Sequence, residues 1–566
     1  MNDVMQYVQR DSFIERDARS RAFALLDRGS AREMLDPFDH LESPWLERQG
    51  VVPAADDGVV VALGTLEGSR TVVIAIEQAF QGGGIGEVSG AKITAALTKA
   101  ASESRAGRPT AAVLLLETGG VRLQEANLGL AAVAEACAAV LELRAEQPVV
   151  AVIAGGLGSF GGMSIVGGLC STVIMTREAR LGLNGPEVIE SEGGIAEFDA
   201  SDRALVWSID GGAQRHALGQ ADDLIADDTE TIRRAVAAAI DAGPVDVPAS
   251  RALDVLRDRL AAVDPTDPPS PAALPDRFRD APRAKRPSAA PDGEPVEHRS
   301  RGHRWLAALA TSAPDRIAPT VLEAQARFGG GDATLLSVVP DPTSPFLRAR
   351  HGEVGLVESL ALAERVTSIV AAAGALPATQ KRPIIAVVDL PSQAYGRLEE
   401  MVGLHLHLAA AVDAYATARA AGHPVVALVV GTALSGGFLA HGLQANQILA
   451  LDDPGVEIHA MHKPAAARIT RRSIEELDAL ALDVPPLSYD VRDWATLGLC
   501  DDLIAVADAD DPSDDDVTVV RARLDNAVER ARDGNRSLEA RWSVQQAGDR
   551  RAATRAVWAA MTEQWR

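Results

Sequence analysis

AAVLLLETGGVRLQE (residues 111–125) and VVAVIAGGLGSFGGMS (residues 149–164) decide the fold, because their pattern occurs twice in the chain. In both stretches an apolar run leads into a glycine-bearing turn and then into a helix-like segment. The second copy reads IIAVVDLPSQAYGRLEE (residues 384–400), followed by VVALVVGTALSGGFLAHG (residues 425–442). Uninterrupted apolar runs are typical of parallel strands that are buried on both faces. The sequence therefore predicts two related α/β units in one chain.

The two copies keep an almost constant spacing. Gly119 and Ala394 are 275 residues apart, and so are Gly161 and Gly436. Each copy therefore places two turns with little side-chain cover at the carboxyl ends of two buried strands. The backbone N–H groups at the start of the following helices converge there and carry the positive end of the helix dipole. This arrangement suits an oxygen that becomes negatively charged during a reaction.

Four turns form two candidate oxyanion holes. The first hole consists of Gly119-Gly120-Val121 and Phe160-Gly161-Gly162, and the second of Ala394-Tyr395-Gly396 and Ser435-Gly436-Gly437. A single glycine turn needs no function, since glycine adopts positive φ without strain. The paired occurrence with matched spacing favours a site, and two holes in one chain indicate a substrate with two oxygens to polarise.

The composition limits the possible functions. A chain of 566 residues is too long for a single core and predicts two domains of about 250 residues. A formal net charge of −24 argues against a nucleic-acid partner, whose phosphates would be repelled. Three separated cysteines without CxxC spacing, and an N-terminal stretch without an apolar signal segment, favour a reducing cytoplasm.

One uncharged stretch, Pro148 to Met175, is long enough to span a bilayer. Seven glycines interrupt it, and the matching stretch Pro424–Leu451 contains His441 and Asn446. We therefore interpret both stretches as buried strand, turn, helix and strand, and expect no membrane partner.

Other motifs that carry chemistry are missing from the sequence. It contains no G-x-S-x-G nucleophile elbow, no P-loop and no H-E-x-x-H pair. The GGGIG run at residues 82–86 lacks the dinucleotide-binding fingerprint. His459 and His462 have no third clustered ligand, so no metal is expected. A biotin-acceptor A-M-K-M segment is also missing, so the chain is expected to carry no biotin.

The segments between the repeated motifs predict the organisation of the chain. Residues 1–57 are predicted to form a polar helical arm, and residues 58–78 a hairpin around Glu67-Gly68. Residues 264–299 are rich in proline, alanine and mixed charge, which predicts an extended, mobile linker. Residues 517–566 read as helices, whose charges fit either a solvated face or a partner contact.

At its glycine-bearing elements the sequence resembles the carboxyltransferase branch of the crotonase superfamily. ETGGVRLQE (residues 117–125) is similar to the family's D-S-G-G-A-R-x-Q-E element, with Glu117 in place of Asp. GGGIGEVSGAKI (residues 82–93) resembles the loop that lies beside a thioester carrier arm. The resemblance is closer to the beta and gamma subunits of biotin-independent malonate decarboxylases, and the zinc ribbon of the bacterial carboxylases is missing.

The resemblance implies a fusion with a defined fold. Residues 1–263 would be a beta-like carboxyltransferase domain, residues 264–299 a flexible linker, residues 300–510 a gamma-like domain and residues 511–566 a helical tail. Each domain would be a crotonase-like α/β spiral of β-β-α units. The two domains are expected to pack face to face as a pseudo-dimer.

The resemblance also implies a reaction. A malonyl thioester on an acyl-carrier protein would lose carbon dioxide and leave an enolate. Gly120, Val121 and Gly162 would hold the thioester oxygen, and the second hole would hold the departing carboxylate. Gly84, Gly86 and Lys92 would lie beside the carrier arm. No cofactor would be bound covalently, because a partner supplies an arm with a CoA-like thiol.

Several alternatives stay open at this point. Tyr395, His441 or water would protonate the enolate, and further self-association is possible. An acidic carrier needs a basic patch, for which Lys92, Lys99, Arg105 and Arg108 are candidates, although a solvated helix face explains them too. The expected partners are the carrier and the acyl-carrier transferase subunits. Transfer of the carboxyl group to a biotin protein is an alternative to its release, and a non-catalytic structural pair is a third interpretation.

Overall fold

Two mixed β-sheets, each flanked by helices, form the framework of the molecule. The structure is a computed structural model that describes residues 10–244, 253–281, 283 and 300–565. The strands of the first sheet follow one another in sequence order, from β1 to β7. The second sheet has the order β15-β13-β12-β11-β10-β9-β8, with β14 paired to β12. The prediction of two related α/β units is confirmed.

The strands divide between the two halves of the chain. The first sheet contains β1 Arg32–Met34, β2 Val59–Leu66, β3 Ser69–Ile76, β4 Ala111–Leu115, β5 Val149–Ile153, β6 Thr172–Thr176 and β7 Asp223–Ile225. The second sheet contains β8 Asp315–Ala318, β9 Val321–Phe328, β10 Gly331–Val338, β11 Ile384–Leu390, β12 Val425–Leu434, β13 Gln447–Leu451, β14 Ile458–His459 and β15 Asp502–Ile504. In both sheets the first strands are antiparallel, and the strands that follow are parallel.

Helices connect and cover the strands. Those of the first half are α1 Ala18–Leu25, α2 Glu87–Arg105, α3 Ala126–Arg144, α4 Gly162–Leu169, α5 Pro186–Gly193, α6 Arg203–Asp210, α7 Gly212–Ala217, α8 Thr229–Asp241, α9 Leu253–Ala261 and α10 Leu274–Arg279. Those of the second half are α11 Arg301–Leu309, α12 Leu356–Ala373, α13 Arg397–Val402, α14 Leu404–Ala420, α15 Ser435–Ala440, α16 Lys463–Thr470, α17 Ile474–Ala481, α18 Val491–Thr496, α19 Asp514–Asp533, α20 Val544–Ala547 and α21 Ala552–Gln564.

Each half begins its repeated unit with a tight hairpin. β2 and β3 are joined at Glu67-Gly68, and both of these residues have positive φ. β9 and β10 are joined at Gly329-Gly330, again with positive φ. The predicted hairpin at residues 58–78 is therefore confirmed, and two-residue turns of this conformation match the twist of the flanking strands.

The two halves meet through helices that follow the glycine-bearing turns. Gly168 of α4 lies against Leu406 and Ala409 of α14, and Arg144 of α3 forms an ion pair with Asp413 of α14 at 3.1 Å. One continuous apolar core runs through both halves. Within the described residues one apolar helix, Leu123–Arg144, has the length to cross a membrane, and 83% of its apolar window is buried in the protein. The uncharged stretch 148–175 forms β5, α4 and β6, as predicted.

Two connecting segments differ from their predictions. The N-terminal arm, described from residue 10, contains only one α-helix, α1, and also supplies β1 to the first sheet. The predicted linker 264–299 is helical at α10, because Leu274 there is buried against the core. The expected mobility of the linker concerns mostly residues 284–299, which lie outside the described residues. α9 packs on the second half, where Arg257 binds Glu364 at 2.6 Å.

The C-terminal helices cross back to the first half instead of presenting a solvated face. Thr554 at the start of α21 donates from its N–H to Glu87 of α2 at 3.0 Å. Arg551 forms an ion pair with Glu135 of α3 at 3.2 Å, with both side chains almost fully buried. The tail therefore belongs to the junction between the halves, and its charges are explained by these contacts.

Candidate active site

A cavity of about 310 Å³ lies at the junction of the halves, between the glycine-bearing turns. Its wall combines residues of the first half with residues of the second. From the first half come Gly119, Val121, Leu123, Leu130, Leu157, Phe160, Gly161, Gly162, Arg180, Leu183, Asn184, Gly185, Pro186, Glu187 and Val188. From the second half come Gln393, Tyr395, Ser435, Gly436, Leu439, Ala460, Met461 and Ile469. The structure thus brings predicted residues of both holes to one cavity.

Most N–H groups of the first pair of turns are already used inside the protein. Gly119 donates to Gly82 O at 2.9 Å, and Gly120 donates to Thr118 Oγ1 at 2.9 Å. Phe160 donates to Thr118 O at 3.0 Å, and Gly161 donates to the Leu183 carbonyl at 2.8 Å. These bonds hold the two turns in register, and Gly161 lies so close to Gly120 that a Cβ would come within 2.8 Å of the Gly120 Cα.

Two N–H groups of these turns remain without an acceptor among the described residues: those of Val121 and Gly162. Both residues line the cavity. Gly162 is the first residue of α4, so its N–H belongs to the donors that no helical carbonyl can satisfy. The positive end of the helix dipole adds to the attraction for a negative oxygen. The pair is therefore an open oxyanion hole in the chemical sense.

A hydrogen-bonded bridge fixes which residue of the first turn supplies its donor. Ile85 donates to Gly120 O, and Arg122 donates to Ile85 O, both at 2.9 Å. The residue between these two bonds is Val121. Its N–H points away from the bridge, because alternate residues of an extended segment face opposite sides.

The same bridge occurs in the second half, but with a different sequence offset. Val354 donates to Ser392 O at 2.9 Å, and Ala394 donates to Val354 O at 3.0 Å. The residue between these bonds is Gln393, so Gln393 corresponds to Val121, with 393 − 121 = 272. The constant spacing of 275 does not hold at this turn.

The second turn of each half can be matched through its backbone conformation. Gly161 has a φ of +61° directly before Gly162, and Ser435 has a φ of +58° directly before Gly436. Gly436 therefore corresponds to Gly162. The N–H of Gly436 is not free, because it donates to Gln393 Oε1 at 2.8 Å.

The prediction for the second hole is therefore wrong in its donors. The Ala394 N–H is bonded to Val354, and the Gly436 N–H is bonded to Gln393. Gly396 and Gly437 do not line the cavity, whereas Tyr395 and Ser435 do. The physical reason is the longer β11, which ends at Leu390 and leaves fewer residues in the turn than follow β4 in the first half.

A set of buried polar contacts clamps the halves together beside the cavity. Asn184 donates from Nδ2 to Ala394 O at 2.9 Å, and Gln393 donates from Nε2 to Asn184 Oδ1 at 2.8 Å. The Glu400 carboxylate accepts the N–H groups of Leu183 and Asn184 at 3.0 and 2.7 Å. Arg215 lies 3.6 Å from Glu400 and is fully buried with it. The wall of the cavity is thus fixed from both sides.

The two candidate proton donors occupy different places. Tyr395 lies on the cavity wall, and burial raises the pKa of its hydroxyl to about 12. His441 is completely buried outside the cavity, where its Nδ1 lies 2.8 Å from the Tyr415 hydroxyl. Burial lowers the pKa of the His441 imidazole to about 4. The structure therefore brings Tyr395 to the site and does not bring His441 there.

The residues predicted beside the carrier arm lie under the first turn instead. Gly84, Gly86 and Lys92 do not belong to the cavity wall, and a Cβ at Gly84 would lie 3.1 Å from the Cα of Arg122. Lys92 is fully buried and donates to the carbonyl of Leu35 at 2.9 Å. Burial lowers the pKa of the Lys92 ammonium to about 8.

The predicted basic patch is not formed. Because Lys92 points into the core, it cannot meet a carrier. Arg105 contacts Glu142 and Glu146, and Arg108 forms an ion pair with Glu103 at 2.9 Å. The charges of the two arginines are therefore largely compensated within the chain.

Three residues of the site were not predicted: Gln393, Asn184 and Arg180. The Arg180 guanidinium on the cavity wall lies 5.5 Å from the centre of the Phe160 ring and 5.1 Å from that of Trp207. Asparagine in LGLNGPE and glutamine in LPSQAYG could have been noticed as polar residues at strand ends. Their pairing across the junction has no signal in the sequence.

The fold and the site define a class of enzyme: two crotonase-like units that enclose an oxyanion hole at their junction. A family model described as "Malonate decarboxylase gamma subunit" matches residues 349–565. The match continues through the C-terminal helices, which agrees with their packing at the junction.

Curated relatives and a solved structure point the same way. A Malonyl-S-ACP:biotin-protein carboxyltransferase MADC of Malonomonas rubra is 40% identical over 41% of this chain and 76% of its own length. MADD of the same organism is 33% identical over 34% of this chain and 67% of its own length. A chain of a Pseudomonas malonate decarboxylase hetero-tetramer is 59% identical, with a TM-score of 0.47, and covers 49% of this chain and 100% of its own. The chain belongs to the carboxyltransferase family of malonate decarboxylase, as predicted.

Proposed function

We propose that this chain decarboxylates a malonyl thioester on an acyl-carrier protein, within a malonate decarboxylase complex. The observation that carries the proposal is the pair of unused N–H groups, Val121 and Gly162, which face a cavity at the junction of the halves. The family membership supplies the substrate class. The carrier and its transferase subunit are the proposed partners.

The proposed reaction begins with the thioester oxygen between these two N–H groups. The bond between the α-carbon and the carboxyl carbon breaks, and its electron pair moves into the enolate, whose charge rests on the thioester oxygen. Carbon dioxide leaves, and a proton adds to the α-carbon. Loss of one such donor costs about 3–4 kcal/mol of transition-state stabilisation in well-studied enzymes.

The rest of the cavity favours loss of the carboxylate charge. Its wall is mostly apolar, with Leu123, Leu130, Leu157 and Leu439 among its residues. A carboxylate is poorly stabilised in such surroundings, whereas carbon dioxide is neutral and needs no charged partner. Tyr395 or water is the proposed proton source, and water needs no further residue.

A second candidate function is transfer of the carboxyl group to a biotin protein. The names of the two Malonomonas relatives favour it, since both are described as biotin-protein carboxyltransferases. Transfer shares the first steps and the first oxyanion hole with decarboxylation. The two functions differ in whether a second reactant enters the cavity.

The test uses the full chain and malonyl-loaded carrier protein in D₂O, without biotin. Decarboxylation predicts release of carbon dioxide and an acetyl thioester that carries one deuterium on its methyl carbon. Malonyl-CoA in place of the loaded carrier tests whether the chain needs the protein part of the substrate. Carbon dioxide that appears only after a biotin protein is added would favour transfer, and no reaction under either condition would refute both functions.

A further inference from the structure

Gln393 places an oxygen of the protein where the second hole would hold an oxygen of a substrate. It stands at the position of Val121, and its side chain turns back towards Gly436, the counterpart of Gly162. Because a backbone N–H is only a donor, the atom that faces Gly436 at 2.8 Å is the amide oxygen. The second pair of N–H groups therefore already has an acceptor, whereas the first pair has none in the described part of the chain.

The amide of Gln393 is held firmly in this position. Its Nε2 donates to Asn184 Oδ1 at 2.8 Å, and Asn184 in turn donates to Ala394 O at 2.9 Å. Glu400 fixes the main chain of Asn184 at 2.7 Å. Gln393 is 8% exposed and Asn184 is 2% exposed. Rotation of Gln393 out of the hole would leave these buried groups unpaired, which is unfavourable.

Release and transfer of the carboxyl group make different demands on the second hole. Both reactions break the same carbon–carbon bond and produce carbon dioxide and an enolate. In transfer, a ureido nitrogen of biotin gives its proton to the enolate carbon and then bonds to the carbon of carbon dioxide. The negative charge of the deprotonated ureido group rests on its carbonyl oxygen, which needs donors of its own. In release, the enolate carbon takes its proton from water, and one hole is sufficient.

We propose that Gln393 closes the acceptor side of the cavity, so that this chain releases the carboxyl group as carbon dioxide and does not pass it to a biotin ring. This inference rests on the proposed function and adds the residue that decides between its two forms. Gln393 acts here as a specificity residue that fills the second hole. Asn184 is a positioning residue that holds the Gln393 amide.

The test compares Gln393→Ala with a matched control in the full chain. Gln393→Ala removes the amide and frees the Gly436 N–H. Gln444→Ala removes another buried glutamine that bridges the halves, where Nε2 donates to Ala134 O at 2.9 Å, but Gln444 does not line the cavity. Melting curves show which variants fold, and Gln393→Asn, whose amide is one methylene shorter, replaces the alanine variant if that variant does not fold.

Biotin binding is measured first, by calorimetry with D-biotin, because it does not depend on turnover. Gln393→Ala is expected to bind biotin at least about tenfold more tightly than the unchanged chain, a difference well above the error of the method. Gln444→Ala is expected to match the unchanged chain. Equal binding by all three proteins overturns the proposal.

The products from malonyl-CoA in the presence of biotin are measured next. The unchanged chain is expected to give carbon dioxide and no carboxybiotin, and Gln393→Ala to give both. Carboxybiotin made by the unchanged chain overturns the role of Gln393. A chain that neither releases nor transfers the carboxyl group refutes the proposed function, while the binding measurement still decides whether Gln393 closes the second hole.

Discussion

The turn that contains Val121 and the turn that contains Gln393 have the same backbone and opposite accessibility. In each, one residue lies between the two hydrogen bonds of a bridge to the preceding glycine-rich segment. In the first half this residue is valine, and the N–H groups of Val121 and Gly162 stay open. In the second half it is glutamine, and its own oxygen occupies Gly436. One side chain therefore decides whether a duplicated backbone site is open to a substrate.

The buried carboxylates of the two halves differ in the same way. Glu125 and Glu400 are 275 residues apart and both fully buried. Glu125 binds Arg122 at 2.8 Å within the first half, whereas Glu400 binds a loop of the opposite half at Asn184. The duplication kept the carboxylate and changed its partner from local to distant.

The largest expected effect comes from the open turn. In Gly161→Ala the new Cβ would lie 2.8 Å from the Gly120 Cα, and the residue would keep a φ of +61°. Because backbone cannot yield as a side chain can, the two turns must separate, and we expect kcat to fall by about 10²–10³-fold. In Gly436→Ala the new Cβ meets side-chain atoms of Gln393 and Leu408 at 3.1 Å, and we expect less than about tenfold. Carbon dioxide release from malonyl-CoA measures both, and equal losses would contradict the difference between the turns.

A second effect concerns the carboxylates. Glu400→Ala and Glu125→Ala each remove one partner of a buried ion pair, and each is expected to lower the free energy of unfolding by about 3–5 kcal/mol. Urea denaturation measures this. Only Glu400→Ala should also speed hydrogen exchange at the amides of Leu183 and Asn184, because these donate to the lost carboxylate. Unchanged exchange at these two amides would remove Glu400 from the junction clamp.

A third effect is a pH dependence that only the second half shows. The N–H of Gly86 at the start of α2 donates to Ser89 Oγ, whereas that of Gly355 at the start of α12 donates to Glu358 Oε2, both at 2.9 Å. Burial raises the pKa of Glu358 to about 7. A raised pKa means that the folded state keeps a proton that the unfolded state loses. The contribution of Glu358 is therefore fully present below about pH 4.5 and is lost as the pH rises through about 7.

Glu358→Ser copies the first half at this position and removes the titrating group. We expect the free energy of unfolding of the variant to fall less between pH 4.5 and 7 than that of the unchanged chain, by on the order of 3 kcal/mol. Denaturation at a series of pH values measures it. Parallel pH profiles would show that Glu358 does not control this dependence.

The smallest effects are expected for the two candidate proton donors. His441→Leu should leave kcat within about twofold, because His441 lies outside the cavity. Tyr395→Phe should lower kcat by less than about tenfold if water supplies the proton, since general acid catalysis by a side chain contributes about 10²–10⁴-fold. A loss of 10² or more in Tyr395→Phe would identify Tyr395 as the donor.

Much of the fold could be predicted because it depends on local patterns. The apolar runs of β4, β5, β11 and β12 and the Glu67-Gly68 turn each carry their own signal, and all appear as expected. The first hole was also predictable, since Val121 and Gly162 follow strand ends and begin helices. The second hole was misplaced by three residues at Gln393, because a constant spacing cannot reveal a longer strand and a shorter turn.

The tail and the glycine-rich loop show the other limit. The sequence of α21 gives its helical period but not its partner, and Thr554 reaches Glu87 from 467 residues away. Lys92 reads as a surface charge in GAKI, yet its ammonium is satisfied by backbone carbonyls of the N-terminal arm. Such contacts depend on where distant segments meet, which composition and periodicity do not encode.

The sequence by itself determined that two α/β units with bare glycine turns stand in one chain, because strand burial and turn conformation depend on neighbouring residues. Only the tertiary structure decided which N–H groups remain free, because each donor can be satisfied by an acceptor hundreds of residues away. Val121 and Gln393 look equally unremarkable in the sequence. Their difference arises when Asn184 of one half meets the amide of Gln393 in the other.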